Sequence, residues 1–127
     1  MSKDKKTILL VEDEKPLYEL IRYKLVKENF KVVLARSADQ AFQCLKDRVD
    51  IDAVWLDHYL LGKGSGLDFV IKIQKNKSWK NLPVFLISNT VSPEKIQIYL
   101  KLGIKKCYTK VDFKLNQIIT DIKKCLK

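Results

Sequence analysis

No apolar run in this chain approaches the roughly 20 residues that a membrane helix requires, so membrane insertion is not expected. The start, Met1-Ser2-Lys3-Asp4-Lys5-Lys6, leads into an apolar stretch of only Ile8 to Val11. That is too short for the core of a signal peptide, and a cytoplasmic protein is expected. Cysteine is scarce: Cys44, Cys107 and Cys125 are odd in number and widely spaced. They fit neither a disulfide framework nor a CxxC metal pattern, which points to reduced thiols. Internal repeats and low-complexity segments are absent. Acidic residues are in deficit, with 15 Asp and Glu against 25 Lys and Arg and a net charge of +10. The imbalance is concentrated, because residues 95–127 hold nine lysines against Asp112 and Asp121, a net of +7. Such a surface either keeps a protein soluble or docks an acidic partner, and both readings stand at this point.

What is present fits one domain spanning residues 1–127, within the usual range of about 100–200 residues. A hydrophobic fraction of 46% with 31% charged residues excludes a disordered chain. Short β-rich runs alternate with amphipathic helical ones. Thr7 to Val11 is a continuous apolar run, the pattern of a strand buried on both faces. Pro16 suits a first helical turn, Leu17, Leu20, Ile21 and Leu25 follow at helical spacing, and Asn29 suits the stop. Lys31 to Ala35 is a second strand. Ser37 is a candidate N-cap for a helix lined by Ala38, Ala41, Phe42 and Leu45.

Ala53 to Leu56 is a third strand, ending at Asp57. The glycine-rich stretch Gly62 to Gly66 opens a helix through Leu67, Val70, Ile71 and Gln74. Pro83 starts a fourth strand, Val84 to Ile87, which ends at Ser88. Ser92-Pro93-Glu94 reads as the start of a helix that stops at Gly103. Cys107 to Thr109 is a short fifth strand. Asp112 is a candidate cap for a last helix with Leu115, Ile118, Ile119, Ile122 and Leu126 on its inner face. Five strand–helix units in alternation predict an α/β fold, a parallel sheet with helices on both faces. In such sheets ligands bind beyond the carboxyl ends of the strands.

Chemistry-bearing residues fall at those ends. Glu12 and Asp13 follow the first strand, Asp57 ends the third, Ser88 the fourth, and Lys110 follows the fifth. Each alone has a commonplace explanation: a helix-start charge preference, a turn residue, a cap, a solvated lysine. Their coincidence on one sheet edge points to a site. Clustered carboxylates repel one another unless a cation neutralises them, and oxygen-only ligation suits Mg²⁺.

Ile8-Leu9-Leu10-Val11-Glu12-Asp13-Glu14, Trp55-Leu56-Asp57, Pro83 to Ser88 and Tyr108-Thr109-Lys110 together resemble the receiver domain of bacterial two-component response regulators, over essentially the whole chain. The resemblance implies a flavodoxin-like, doubly wound five-stranded parallel sheet of order 2-1-3-4-5 with five helices. It implies that Glu12, Asp13, Asp57 and the backbone carbonyl of Tyr59 hold Mg²⁺, and that Asp57 accepts a phosphoryl group from a histidine kinase or phosphotransfer protein. Lys110 is then expected to pair with phosphoryl oxygens, and Ser88 to hydrogen-bond another. The output is expected at the face made by the fourth helix, fifth strand and fifth helix, toward a downstream protein with an acidic surface. Such a domain catalyses its own phosphorylation and dephosphorylation and is otherwise not an enzyme. With the last helix at the end of this sequence, the output is expected to come from binding another protein, unless the chain is a fragment of a longer regulator.

The chain departs from the family pattern in places. Val111 follows Lys110 where proline is usual, and Asn89 stands where a small residue is usual. The stretch after Asp57 is one residue short and lacks the usual proline near Leu61. Cys107 occupies the position of a conformationally switching aromatic, with Tyr108 one place later. Side chains alternate along a strand, so Tyr108 should point to the opposite side and the usual aromatic switch should be absent. His58, beside the acceptor, reads as a group that tunes access or edges a loop. The alternative function is a phosphorylation-independent binding scaffold. The +10 charge also prompts a nucleic-acid reading, but helix-turn-helix, zinc-finger and RNP signatures are all missing, and every helix is needed to cover the sheet.

Overall fold

The continuous apolar runs form strands sealed on both faces, and the periodic segments between them form the helices that seal them. The computed structural model describes residues 5–48, 50–57, 66–88, 93–109 and 114–126. In chain order the elements are β1 (Thr7–Val11), α1 (Lys15–Lys27), β2 (Lys31–Ala35), α2 (Ala38–Asp47) and β3 (Ala53–Asp57). They continue with α3 (Gly66–Lys75), β4 (Val84–Ser88), α4 (Pro93–Lys101), β5 (Lys106–Thr109) and α5 (Leu115–Cys125). The strands form one sheet of order β2-β1-β3-β4-β5, all parallel. The register sets Leu10 beside Trp55, Leu56 beside Leu86 and Ser88 beside Thr109. The expected topology is therefore the observed one.

Alternation along the strands divides the core in two. Leu9, Val11, Val54, Leu56, Val84 and Leu86 face α2, α3 and α4. Ile8, Leu10, Trp55, Phe85 and Ile87 face α1 and α5. Every residue of β1 and β3 is buried, as a parallel sheet covered on both sides demands. Truncating Leu56 or Ile21 to Ala would cost about 2–5 kcal/mol.

Local signals place the helix ends. Ser37 caps α2, its hydroxyl accepting from the Gln40 N–H at 3.1 Å, while Gln40 Oε1 accepts from the Arg36 N–H at 2.7 Å. At the end of α1, Asn29 adopts φ 72°, and the Phe30 N–H reaches back to the Leu25 carbonyl at 3.0 Å. Gly103, at φ 94°, closes α4 in the same way, with the Ile104 N–H on the Tyr99 carbonyl at 3.3 Å. A Cβ at Gly103 would also meet the Gln74 amide at 3.3 Å.

Two helix faces differ from the sequence expectation, while the inner face of α5, with Leu115, Ile118, Ile119, Ile122 and Leu126, is the expected one. On α1 the buried residues are Tyr18, Ile21 and Leu25, whereas Leu20 is 47% exposed and Leu17 only half-buried. The Tyr18 ring lies inward with Arg36 over it, at 5.7 Å. A tyrosine carries enough apolar body to take a core position from a leucine one helical step away. On α3 the buried stripe is Phe69, Val70 and Ile73, with Ile71 and Gln74 half-buried. Phe69 packs on Phe42 at 4.9 Å, and that aromatic pair sets the rotation of the helix. For α5, helical structure begins at Leu115, where Gln117 Oε1 accepts the Lys114 N–H at 2.9 Å. Asp112, the expected cap, lies outside the described residues.

Among the described residues, no helix is long and apolar enough to cross a membrane.

Candidate functional site

All strands being parallel, their carboxyl ends form one edge. The chain runs from β1 outward to β2 and then returns to place β3 on the other side of β1, so the topological switch point lies between β1 and β3. Glu12 and Asp13 follow β1, and Asp57 is the last residue of β3. These three carboxylates flank the switch point, with an oxygen of each lying within 4.8 Å of the others.

The backbone holds this cluster. The Glu12 N–H donates to the Ala35 carbonyl at 3.0 Å, continuing the β1–β2 ladder one residue past the strand. Glu12 is 1% exposed, and its Oε2 accepts the N–H groups of Asp13 and Glu14, each at 3.2 Å. Glu14 is the N-cap of α1, so the Glu12 carboxylate lies at the positive end of that helix. Asp57 is 8% exposed and Asp13 half-buried. Three carboxylates this close, two of them largely removed from water, repel one another. A hard cation with oxygen ligands relieves that repulsion, and the donor set fits one.

Of the residues predicted from the sequence, Glu12, Asp13 and Asp57 are brought together. Ser88 ends β4 on the same edge, in register with Thr109 of β5. The Ser88 side chain, Tyr59, Lys110 and His58 lie outside the described residues, as do Asn89 and Val111.

A second polar cluster has no counterpart in the sequence reading. The Tyr108 hydroxyl donates to Asp121 Oδ2, which also pairs with Lys106 Nζ at 2.9 Å. Burial raises the Tyr108 phenol above its ordinary pKa, and the bond to Asp121 adds to the rise. The Tyr108 hydrogen bond, then Lys106, hold the Asp121 carboxyl below its ordinary value. The partners lie 13 and 15 residues apart on two elements, so no local spacing advertises them. The alternation of β5 is the one usable signal: Tyr108 packs with the α1 and α5 core and Cys107 against the opposite core, as expected. Burial pushes the Cys107 thiol up, away from a reactive thiolate.

Residues 8–123 match the response regulator receiver domain family. The phosphate regulon transcriptional regulatory protein PhoB of Escherichia coli (strain K12) is 28% identical over 120 residues, which cover 94% of this chain and 51% of PhoB. The chain thus spans about half the length of that relative. Among solved structures, the phosphorylated cyanobacterial phytochrome response regulator RcpA superposes with a TM-score of 0.79 at 26% identity, covering 95% of this chain and 91% of the other. The non-phosphorylated HemR receiver domain from Leptospira biflexa superposes with a TM-score of 0.85 at 25% identity, covering 97% and 95%.

Proposed function

The chain belongs to the response regulator receiver domain family, and on that premise we propose that it is a Mg²⁺-dependent phosphoacceptor switch with Asp57 as the acceptor. The observation that carries this reading is the meeting of Glu12, Asp13 and Asp57 within 4.8 Å at the switch point of the sheet. Glu12, Asp13, Asp57 and the Tyr59 carbonyl would hold the ion. When bound, Mg²⁺ supplies charge neutralisation for the carboxylates and the incoming phosphoryl group.

The residues of the chain do the rest. Asp57, fixed at the end of a fully buried strand, presents a carboxylate oxygen to phosphorus. The new O–P bond forms as the P–N bond of a phosphohistidine donor breaks, and the released imidazole takes up a proton. Lys110 pairs with phosphoryl oxygens and Ser88 donates to another. Those contacts exist only in the phosphorylated state, so they can shift a conformational equilibrium. In this reading the chain turns over no other substrate. Its donors are a histidine kinase or phosphotransfer protein, its output a downstream protein with an acidic surface, and its compartment the cytoplasm. A scaffold indifferent to phosphate would gain nothing from three carboxylates held so close.

Incubation with acetyl phosphate and Mg²⁺, read by intact mass, tests this. One phosphoryl group should be gained, Asp57→Asn should abolish the gain, and EDTA should prevent it. Full-rate labelling of Asp57→Asn would refute the assignment.

A further inference from the structure

Charge in this fold is sorted along the strand axis. The helices run antiparallel to the strands they cover, so the carboxyl edge of the sheet holds the helix starts and the amino edge the helix ends. The carboxyl edge carries Glu12, Asp13 and Asp57, and the first turns of α2, α3 and α4 add Asp39, Asp68 and Glu94. Lys15, Arg36 and Lys95 lie there too, so that edge is mixed. The amino edge, about 16 Å away by the rise of a strand such as β3, is basic. The last turn of every helix holds at least one lysine. Lysine there complements the helix dipole, which accounts for it without any partner. That explanation does not reach Lys5 and Lys6 before β1, Lys31 at the start of β2, or Lys77 and Lys80 before β4. All five are exposed, and among the described residues none is in an ion pair. The acids nearest to them are committed elsewhere. Asp50 holds Arg48 through two bonds at 2.7 and 3.0 Å, Asp52 accepts the Thr7 N–H at 2.7 Å, and Glu28 pairs with Lys123 at 3.5 Å.

Such a face attracts a polyanion, and the residues favour one kind. Nucleic acid is gripped by arginine forks, by helix N-termini and by an element that enters a groove. This edge offers helix C-termini, its Arg48 is held by Asp50, and all five helices are packed on the sheet. Lysines spread over separate loops act as point charges, which suits the laterally smeared charge of an anionic lipid surface. Between Lys77 and Lys80 stands Trp79, half-buried and stacked on Phe42 at 6.2 Å. An indole with one side in the protein and the other at the surface is the residue type that lies at the headgroup level of a bilayer.

We propose that the amino edge of the sheet rests on an anionic phospholipid surface, with Lys5, Lys6, Lys31, Lys77 and Lys80 at the headgroups and Trp79 at the interface. Contact is peripheral, since among the described residues no helix is long and apolar enough to cross a membrane. The carboxylates of the other edge are repelled by the same surface, so the cluster of Glu12, Asp13 and Asp57 faces away from it and stays open to other proteins. The binding does not depend on phosphorylation of Asp57.

The test is sedimentation of the full chain with vesicles of phosphatidylcholine, alone or with about 30% phosphatidylserine. The chain should sediment with the mixed vesicles only, and less as salt rises. Each lysine at an anionic surface contributes about fivefold to partitioning. Lys77→Glu with Lys80→Glu should therefore lower binding at least about tenfold, as should Lys5→Glu with Lys6→Glu. Lys15→Glu with Lys95→Glu makes the same change in net charge at the other edge and should leave binding within about twofold. Brominated phosphatidylserine should quench the fluorescence of the wild type but not of Trp79→Phe, whose remaining Trp55 is 1% exposed. Equal losses from charge reversal at the two edges would mean that net charge alone binds, and would overturn the proposal. Failure to sediment with phosphatidylserine, or binding without quenching, would do the same. Displacement from the vesicles by duplex DNA at equal phosphate concentration would overturn it in favour of a nucleic-acid surface.

Discussion

Tyr108 donates its hydroxyl to Asp121, and this bond commits the aromatic ring of β5 to α5 while its neighbour Cys107 faces α4. The ring is 5% exposed and packs against Ile118, Ile119 and Ile122. Moving it to the α4 side would break the hydrogen bond and empty a core position together. If the chain is the phosphoacceptor switch proposed above, this ring is therefore not its moving part.

Tyr108→Phe should destabilise the fold by about 1 kcal/mol. A hydrogen bond to a charged group contributes about 1.5–3 kcal/mol, and the 33% exposure of Asp121 lowers that figure through solvent screening. Urea unfolding measures the loss, while the rate of Asp57 phosphorylation should stay as in the wild type. Unchanged stability would show that the bond contributes nothing in solution.

The same cluster gives a pH dependence. Tyr108 first, then Lys106 and Lys124, hold the Asp121 carboxyl below its unfolded value of about 3.9. A depressed carboxyl stabilises the fold above the unfolded pKa and loses that contribution as pH falls through the folded one. The stability gap between wild type and Asp121→Asn should be constant above about pH 5 and should narrow below about pH 4. Urea midpoints across that range measure it, and a gap that stays constant into strong acid would count against the cluster.

The sheet was legible because β1 and β3 are unbroken apolar runs, and the stops were legible because Asn29 and Gly103 suit the left-handed turn they make. The carboxylate cluster was legible for a topological reason: residues that follow parallel strands must share an edge. Helix rotation was less so, since Tyr18 competes with Leu17 and Leu20, and Phe69 with Ile71, for faces that periodicity alone does not separate. The Tyr108–Asp121–Lys106 cluster depends on how α5 is rotated against β5, which no residue spacing encodes.

The carboxylate cluster predicts opposite responses to Asp13→Asn with and without metal. Asp13 is half-buried, so the substitution should be tolerated. Without divalent cations it removes one of three mutually repelling charges and should raise the urea midpoint. With Mg²⁺, the wild type should gain up to about 2.7 kcal/mol at a hundredfold excess over Kd, and the variant clearly less. Equal responses to Mg²⁺ in the two proteins would remove Asp13 from the site.

The basic face yields the last prediction, and the geometry decides which lysines test it. Lys106 is tied to Asp121 at 2.9 Å, so reversing its charge would disrupt the β5–α5 cluster along with the surface potential. Lys101 and Lys105 are exposed, and reversing them changes the field while leaving the Tyr108–Asp121–Lys106 cluster intact. If an acidic partner is steered to this face, Lys101→Glu with Lys105→Glu should slow its association by up to about tenfold at low ionic strength. The difference should shrink as salt shortens the Debye length to about 8 Å at physiological strength. Dissociation should change less, because exposed charges act mainly on encounter. Stopped-flow mixing with a fluorescein-labelled synthetic peptide rich in Asp and Glu separates the two rates, with Asp57 phosphorylation followed in parallel as the control. Association rates and salt dependence identical to wild type would mean that these lysines do no more than keep the surface hydrated.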